Sequence, residues 1–179
     1  SYFGAKVIYP PTMAPAFKLR IPIVIKNTFQ PEFEGTKIQF NTEPTIFPIK
    51  GISSVKNVAL INIKGSGLVG KLGFSGRLFS LLARHHINIV LITQSSSEHS
   101  ITLAIHHDEV EKAKQLIEDE FYLEIDAKWL EPIEIEEKLG IMAIVGENMK
   151  KTVGVSGKLF YALGRNGINV RAIAQGSSE

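Results

Sequence analysis

The sequence predicts an α+β fold built from tandem βαββαβ units, with the second unit incomplete. Two observations predict it. The chain repeats itself at a constant offset of 81, with sixteen identical residues among the forty positions from 59 to 98 and no gap. Within the first copy, β-branched apolar runs alternate with runs of helical spacing in the order βαββαβ, the ferredoxin-like unit of two split βαβ motifs.

The repeat is clearest in three blocks. Ser75-Gly76-Arg77-Leu78-Phe79 matches Ser156-Gly157-Lys158-Leu159-Phe160. Arg84 to Ile89 matches Arg165 to Val170, and Ile92 to Glu98 matches Ile173 to Glu179. A register held over forty residues is the signature of a duplicated structural unit.

The elements follow in order. Val58 to Ile63 is apolar and reads as a strand. Residues 65 to 76 hold five glycines and read as a loop. Ser75 or Gly76 opens a helix that turns Leu78, Phe79, Leu82 and Ala83 to one face. Ile87 to Ile92 is a buried strand, and Ser95-Ser96-Ser97 a turn. Ile101, Leu103 and Ile105 alternate with polar or small residues, as in a half-buried strand. Val110, Ala113, Ile117 and Phe121 fall at helical spacing behind Asp108, a residue suited to an N-cap. Leu123, Ile125, Ala127 and Trp129 alternate with polar neighbours, predicting a fourth strand.

The second copy supplies a strand at 139–146, a helix at 155–166 and a strand at 167–175. Its last strand, helix and strand are not in the sequence, so a sheet edge would stand open. A truncated copy is expected, or one that borrows a strand, with 49–55 as the donor. Residues 1–48 lie outside the repeat and contain seven of the eight prolines. They carry one strand-like run, Ile21 to Ile25, and read as the tail of a preceding domain plus a linker. The expected boundaries are 1–48, a first unit over 49–136 and a second over 137–179. Both ends read as cuts in a longer chain.

Composition narrows the function. With 179 residues, 44% hydrophobic and 21% charged, the chain has a globular profile. It has no cysteine, which excludes disulfides, thiolate metal sites and cysteine nucleophiles. Twenty basic and eighteen acidic residues leave a formal charge of +2, too balanced to argue for nucleic acid or an anionic membrane. No apolar run approaches the roughly 20 residues of a membrane span.

The arrangement resembles the regulatory half of aspartate kinases, which carries two tandem ACT modules, small-molecule-sensing βαββαβ units. Gly4 to Ile8, Ile25-Lys26-Asn27-Thr28-Phe29 and Gly35-Thr36 look like the end of that family's kinase domain, with Tyr9 where the family often has His. The two Ile-Thr/Ala-Gln blocks at 92–98 and 173–179 are similar to those of the bifunctional aspartate kinase–homoserine dehydrogenases. So are Glu120-Phe121-Tyr122-Leu123-Glu124 and Leu130-Glu131-Pro132. The resemblance implies a cytoplasmic feedback regulator that senses threonine, attached to a kinase that uses MgATP, and to an NADP-dependent dehydrogenase if that domain follows. It implies no cofactor in this stretch. It also implies a homo-oligomer formed through side-by-side ACT sheets. Lysine-sensing relatives tend to carry Thr where Gln94 stands, and a lysine sensor or a free-standing ACT regulator are the alternatives. An RNA-binding module of the same fold would want exposed sheet aromatics and a basic surface.

The chemistry of such a sensor can be read from the residues. An amino acid offers a carboxylate and an ammonium. The stretch containing Gly65, Gly73, Ser75 and Gly76 can present backbone amides at a helix N-terminus, which favours an anion. Gln94 ends the following strand, and its amide both donates and accepts. The resemblance places threonine contacts at Gln94 and Gln175. Asn88 and Asn169 are candidate helpers, or turn formers between helix and strand. Gly65-Ser66-Gly67-Leu68-Val69-Gly70 matches G-x-G-x-x-G literally, but residues 88 to 94 hold no acidic residue for a ribose. The pairs His85-His86 and His106-His107 point in divergent directions, so no chelate is expected. No catalytic residue and no metal site are expected.

Overall fold

A computed structural model of the chain describes residues 8–40, 49–66, 73–94, 100–146, 149 and 152–174. Helix α1 (Pro10–Lys18) is followed by a small hairpin, β1 (Ile23–Ile25) and β2 (Thr36–Ile38). The repeat region begins with β3 (Gly51–Lys64), α2 (Phe74–Arg84), β4 (Ile89–Gln94) and β5 (Ser100–His106). After a 3-10 turn at His107–Glu109 come α3 (Val110–Glu120), α4 (Tyr122–Asp126), β6 (Glu134–Val145) and α5 (Val155–Arg165).

The segment before the repeat holds more structure than its prolines predicted. Pro10 and Pro11 occupy the first positions of α1, where a missing N–H costs nothing. The second hairpin strand was not foreseen. The described side chains from 8 to 40 are all half-buried or exposed, so the segment contributes no core of its own.

The larger sheet has the order β4-β5-β3-β6, every neighbour antiparallel. Side chains alternate across a strand, so β3 feeds two cores. Ala59, Ile61 and Ile63 face α2 and α3, with Leu78, Leu82, Leu103, Ile105, Ile117 and Phe121 in the same cluster. Each fully buried Ile, Leu or Phe side chain of this cluster stabilises the fold by roughly 1.5–3 kcal/mol. Val58 and Leu60 face the other way and pack with Ala104, Val55, Leu139, Ile141 and Ala172.

β3 and β6 are the first strands of the two copies, each extended at its N-terminal end. They pair about a local pseudo-two-fold axis. Val58 pairs with Leu139, its own repeat equivalent. Ile61 pairs with Ile135, and the equivalents of those two, Met142 and Ser54, also pair. The same holds for Asn62 with Glu134 and for Ser53 with Ala143. Each copy's leading arm therefore lies beside the other copy's first strand. Residues 51–55 pair with the second copy at 141–145, the loan expected of 49–55. Asn57 and Lys138, again 81 apart, both adopt positive φ (58° and 60°) where the ladder shifts register.

This exchange corrects the expected fourth strand. The place beside β3 is taken by 134–136 of β6, and 122–126 form α4 instead. The sequence there fits both periods. Leu123, Ile125 and Ala127 alternate, but Phe121 and Ile125 are also one helical turn apart, and Phe121 is fully buried while Leu123 is 75% exposed. Three smaller corrections concern α2 and its neighbours. The first helix starts at Phe74 and not at Ser75 or Gly76. Leu81, not Ala83, completes its buried face. Asp108 sits inside the 3-10 turn, and no side chain caps α3. Finally, residues 168–174 form no ladder among the described residues. β4 is a strand because β5 lies against it, whereas 168–174 meet the sheet by side chains, through Ala172 and Arg171.

Candidate functional site

The sheet decides which candidates share an end of the first copy. Lys64 pairs with Ser100, and Gln94 pairs with Ile101, so β3 and β4 finish together. Helix α2 runs back between them, which sets its N-terminus at that same end. Gly65, Gly73, Ser75, Gly76 and Gln94 are thus brought together. Asn88 precedes β4 and lies at the opposite end, exposed, as does Asn169 after α5. Gln175, the Ser95–Ser97 turn and residues 67–72 of the glycine-rich stretch fall outside the described residues.

Gly73 flanks the N-terminus of α2 in the left-handed region (φ 95°), and among the described residues no side chain caps the helix. The first intrahelical bond runs from the Arg77 amide to the Gly73 carbonyl, at 2.9 Å. The amides of Phe74, Ser75 and Gly76 precede that bond and have no partner within the helix. A Cβ placed on Gly73 or Gly76 would meet nothing within 4 Å. Three amides and the positive end of the helix dipole can there receive a carboxylate. Gln94 is exposed on the edge strand, and its register with buried Ile101 puts it on the helix-bearing face.

Gly65 has a different task. It has a φ of 156°, and a Cβ there would lie 2.1 Å from the Trp129 carbonyl oxygen and 2.7 Å from the Leu130 Cα. Next to it, the Glu131 amide donates to the Lys64 carbonyl at 2.8 Å. The first glycine of the literal G-x-G-x-x-G thus makes room for the protein's own backbone.

The residue that sequence reasoning missed is Arg77. Its Nε donates to Glu120 Oε1 at 3.1 Å, its Nη1 to Glu124 Oε1 at 2.6 Å and its Nη2 to the Glu120 carbonyl at 2.9 Å. The guanidinium lies 4.6 Å from the centre of the Phe121 ring, and Phe74 packs on that ring from α2 at 4.4 Å. The Glu124 bond foremost, with Glu120 behind it, outweighs partial burial and pushes the Arg77 pKa up. The available signal was two glutamates four apart around a phenylalanine. Reading 123–129 as a strand hid it, because a helix brings residues four apart within reach of one guanidinium, whereas on a strand they share a face but lie roughly 13 Å apart.

A second polar group lies on the other sheet face, where the Asn62 side chain of β3 is hydrogen-bonded to Glu136 of β6. Thr102 Oγ1 donates to Asn62 Oδ1 at 2.7 Å, and Arg171 Nε donates to Glu136 Oε2 at 2.7 Å. The Arg171 bond chiefly, against some desolvation, holds the Glu136 carboxyl below its ordinary range. No group of three His, Asp or Glu side chains among the described residues is arranged to hold a metal ion.

This geometry, a duplicated unit with an anion-receptive helix start, has a family. The ACT-domain model matches residues 61–121 and 142–179, one block in each copy. The chain belongs to the ACT-domain family. The stretch between the two blocks holds α4, the connector and the first part of β6, where the ACT copies exchange arms. Along its full length the chain is 43% identical to a bifunctional aspartokinase/homoserine dehydrogenase of Haemophilus influenzae, of which it spans 22%. Its fold matches the crystal structure of Clostridium acetobutylicum aspartate kinase with a TM-score of 0.86 and 31% identity, over 99% of this chain and 40% of that one. Escherichia coli aspartokinase III in complex with lysine and aspartate matches at 0.70 and 29% identity, over 99% of this chain and 38% of that one. The tandem ACT copies are of the aspartate-kinase kind, and the chain spans about a fifth of the length of that bifunctional relative. No helix of the described residues is long and apolar enough to cross a membrane.

Proposed function

We propose that this chain is the feedback-sensing region of an aspartate kinase and that its ACT copies bind the end-product amino acid threonine. The observation that carries the reading is the α2 N-terminus, uncapped among the described residues, at the same end as Gln94, in a chain that matches a bifunctional aspartokinase/homoserine dehydrogenase along its whole length. The amides of 74–76 receive the effector carboxylate, and the Gln94 amide reads its hydroxyl or ammonium. Gln175 does the same for the second copy. β4 lies at one edge of the four-stranded sheet, which supports side-by-side pairing of two subunits through their ACT sheets.

In this reading the parent transfers a phosphoryl group from MgATP to the aspartate side-chain carboxylate, in the cytoplasm. Both that nucleotide and the NADP of a fused dehydrogenase bind to other parts of the parent enzyme. Threonine lowers kinase activity only by its differential affinity for two arrangements of the enzyme, typically about 1–3 kcal/mol of coupling.

The test is thermal stability with threonine, lysine, methionine or ATP. A ligand of the native state raises stability as RT ln(1 + [L]/Kd). Threonine alone is expected to stabilise, and Gln94→Ala or Gln175→Ala to weaken the effect. A second reading, a lysine sensor, draws on the likeness to aspartokinase III in complex with lysine. A shift with lysine and none with threonine selects it.

A further inference from the structure

Four contacts tie the surroundings of the α2 N-terminus to one stretch of chain. On one flank, Gly65 lies against Trp129 and Leu130, and Lys64 accepts from Glu131. On the other, Phe74 stacks on Phe121, and Arg77 binds Glu120 and Glu124. All of these partners lie between 120 and 131. From there the chain runs through buried Ile133 into β6, the strand shared with the second copy. The stretch that carries the sequence resemblance to the bifunctional subgroup, Glu120 to Glu124, is therefore a receptor for the first turn of α2.

We infer that Arg77 is a positioning residue of the effector site. It fixes the first turn of α2, and with it the amides of 74–76, against the 120–131 segment. This rests on the proposal that the α2 N-terminus is an effector site. Arg77 is not assigned a contact with the effector, because its Nε, Nη1 and Nη2 all donate to the 120–124 segment and its face covers Phe121. The planar fork is what the site uses. A lysine has one ammonium and cannot hold both carboxylates, a carbonyl and a ring face in a fixed geometry. The second copy has Lys158 at this position, exposed.

The test uses the full-length protein with L-threonine as probe, reading Kd by calorimetry and the melting temperature without ligand. Arg77→Met and Arg77→Lys are both expected to raise Kd by about tenfold, with ligand-free melting temperatures close to wild type. Failure of the lysine to rescue is the mark of positioning, because a role carried by charge alone would be restored. Glu124→Gln is the decisive milder variant. It is expected to raise Kd as well, and its effect should not add to that of Arg77→Met. If Arg77 instead bound the effector carboxylate directly, freeing it from Glu124 would tighten binding, and that result overturns the inference. So does an unchanged Kd in all three variants. If wild-type protein fails to bind threonine, lysine or methionine, the effector-site reading falls and this inference with it. Wild-type binding with unaffected variants removes only the role of Arg77.

Discussion

Helices α2 and α5 share six of their eleven residues and meet different surroundings. Both start from a left-handed glycine, Gly73 at φ 95° and Gly154 at φ 87°. Both end in the same pair of bonds, Ile87 to Leu82 with His86 to Ala83, and Ile168 to Leu163 with Gly167 to Gly164. This is a Schellman stop in each case. Their apolar faces differ. Leu78 and Leu82 are fully buried under α3 and the sheet, while Leu159 and Leu163 are only half-buried and Phe160 is 38% exposed. Caps depend on a few neighbouring residues and are copied with the sequence. Burial depends on what the chain brings against the helix, and so is not.

The comparison can be broken hardest at the cores. Leu78→Ala should destabilise by about 3 kcal/mol, because it empties a closed site, and Leu159→Ala by about 1 kcal/mol. Urea unfolding of the two variants measures the difference, and equal losses would mean that α5 is packed as tightly as α2. Gly65→Ala should cost about 3 kcal/mol, since its Cβ would meet backbone at 2.1 Å and not a side chain able to move aside.

A smaller effect tests the copied stop signal. His86 stands at φ 59° where the second copy has Gly167 at φ 69°. His86→Gly should stabilise by about 0.5 kcal/mol, the relief of left-handed strain less the entropy glycine adds to the unfolded chain. Gly167→Ala should destabilise by about 1 kcal/mol, all of it conformational, because its Cβ meets nothing within 4 Å. Melting temperatures moving in the same direction would refute the shared geometry.

The smallest effect concerns the ion pair of Arg171 with Glu136 on β6. Glu136 has a lowered pKa through Arg171, so its contribution is present above the ordinary glutamate range and is lost as pH falls through the lowered value. Glu136→Gln should therefore reduce stability slightly at pH 7 and leave it unchanged under strongly acidic conditions. A loss that grows as the pH falls would contradict the bridge.

Much of this molecule could be read in the residues. The repeat at 81 located both first strands and both helices, and the incomplete second copy raised 49–55 as a strand donor beside the alternative of a truncated copy, with 51–55 found paired to 141–145. Ile101, Leu103 and Ile105 stood out by alternation, and the strand-end position of Gln94 followed from the repeat. Other features could not be seen. Nothing local distinguishes a strand at 123–129 from the helix at 122–126, because Phe121 and Ile125 fit a helical turn while Leu123, Ile125 and Ala127 fit the two-residue period. Only the arrival of 134–136 beside β3 leaves the strand position filled. Arg77 was not singled out by the sequence, because its partners Glu120 and Glu124 are set against it only when that same segment folds as a helix.

The order of residues was enough to specify the duplication, the helix ends and which face of each β-strand is apolar, since these rest on interactions between near neighbours and on side-chain periodicity. Long-range packing chose which arm pairs with which copy, and which glycine serves a turn and which a close approach. It also chose which charged residue holds the site. Those outcomes turn on contacts between residues dozens of positions apart, where a backbone partner gained in one place excludes another.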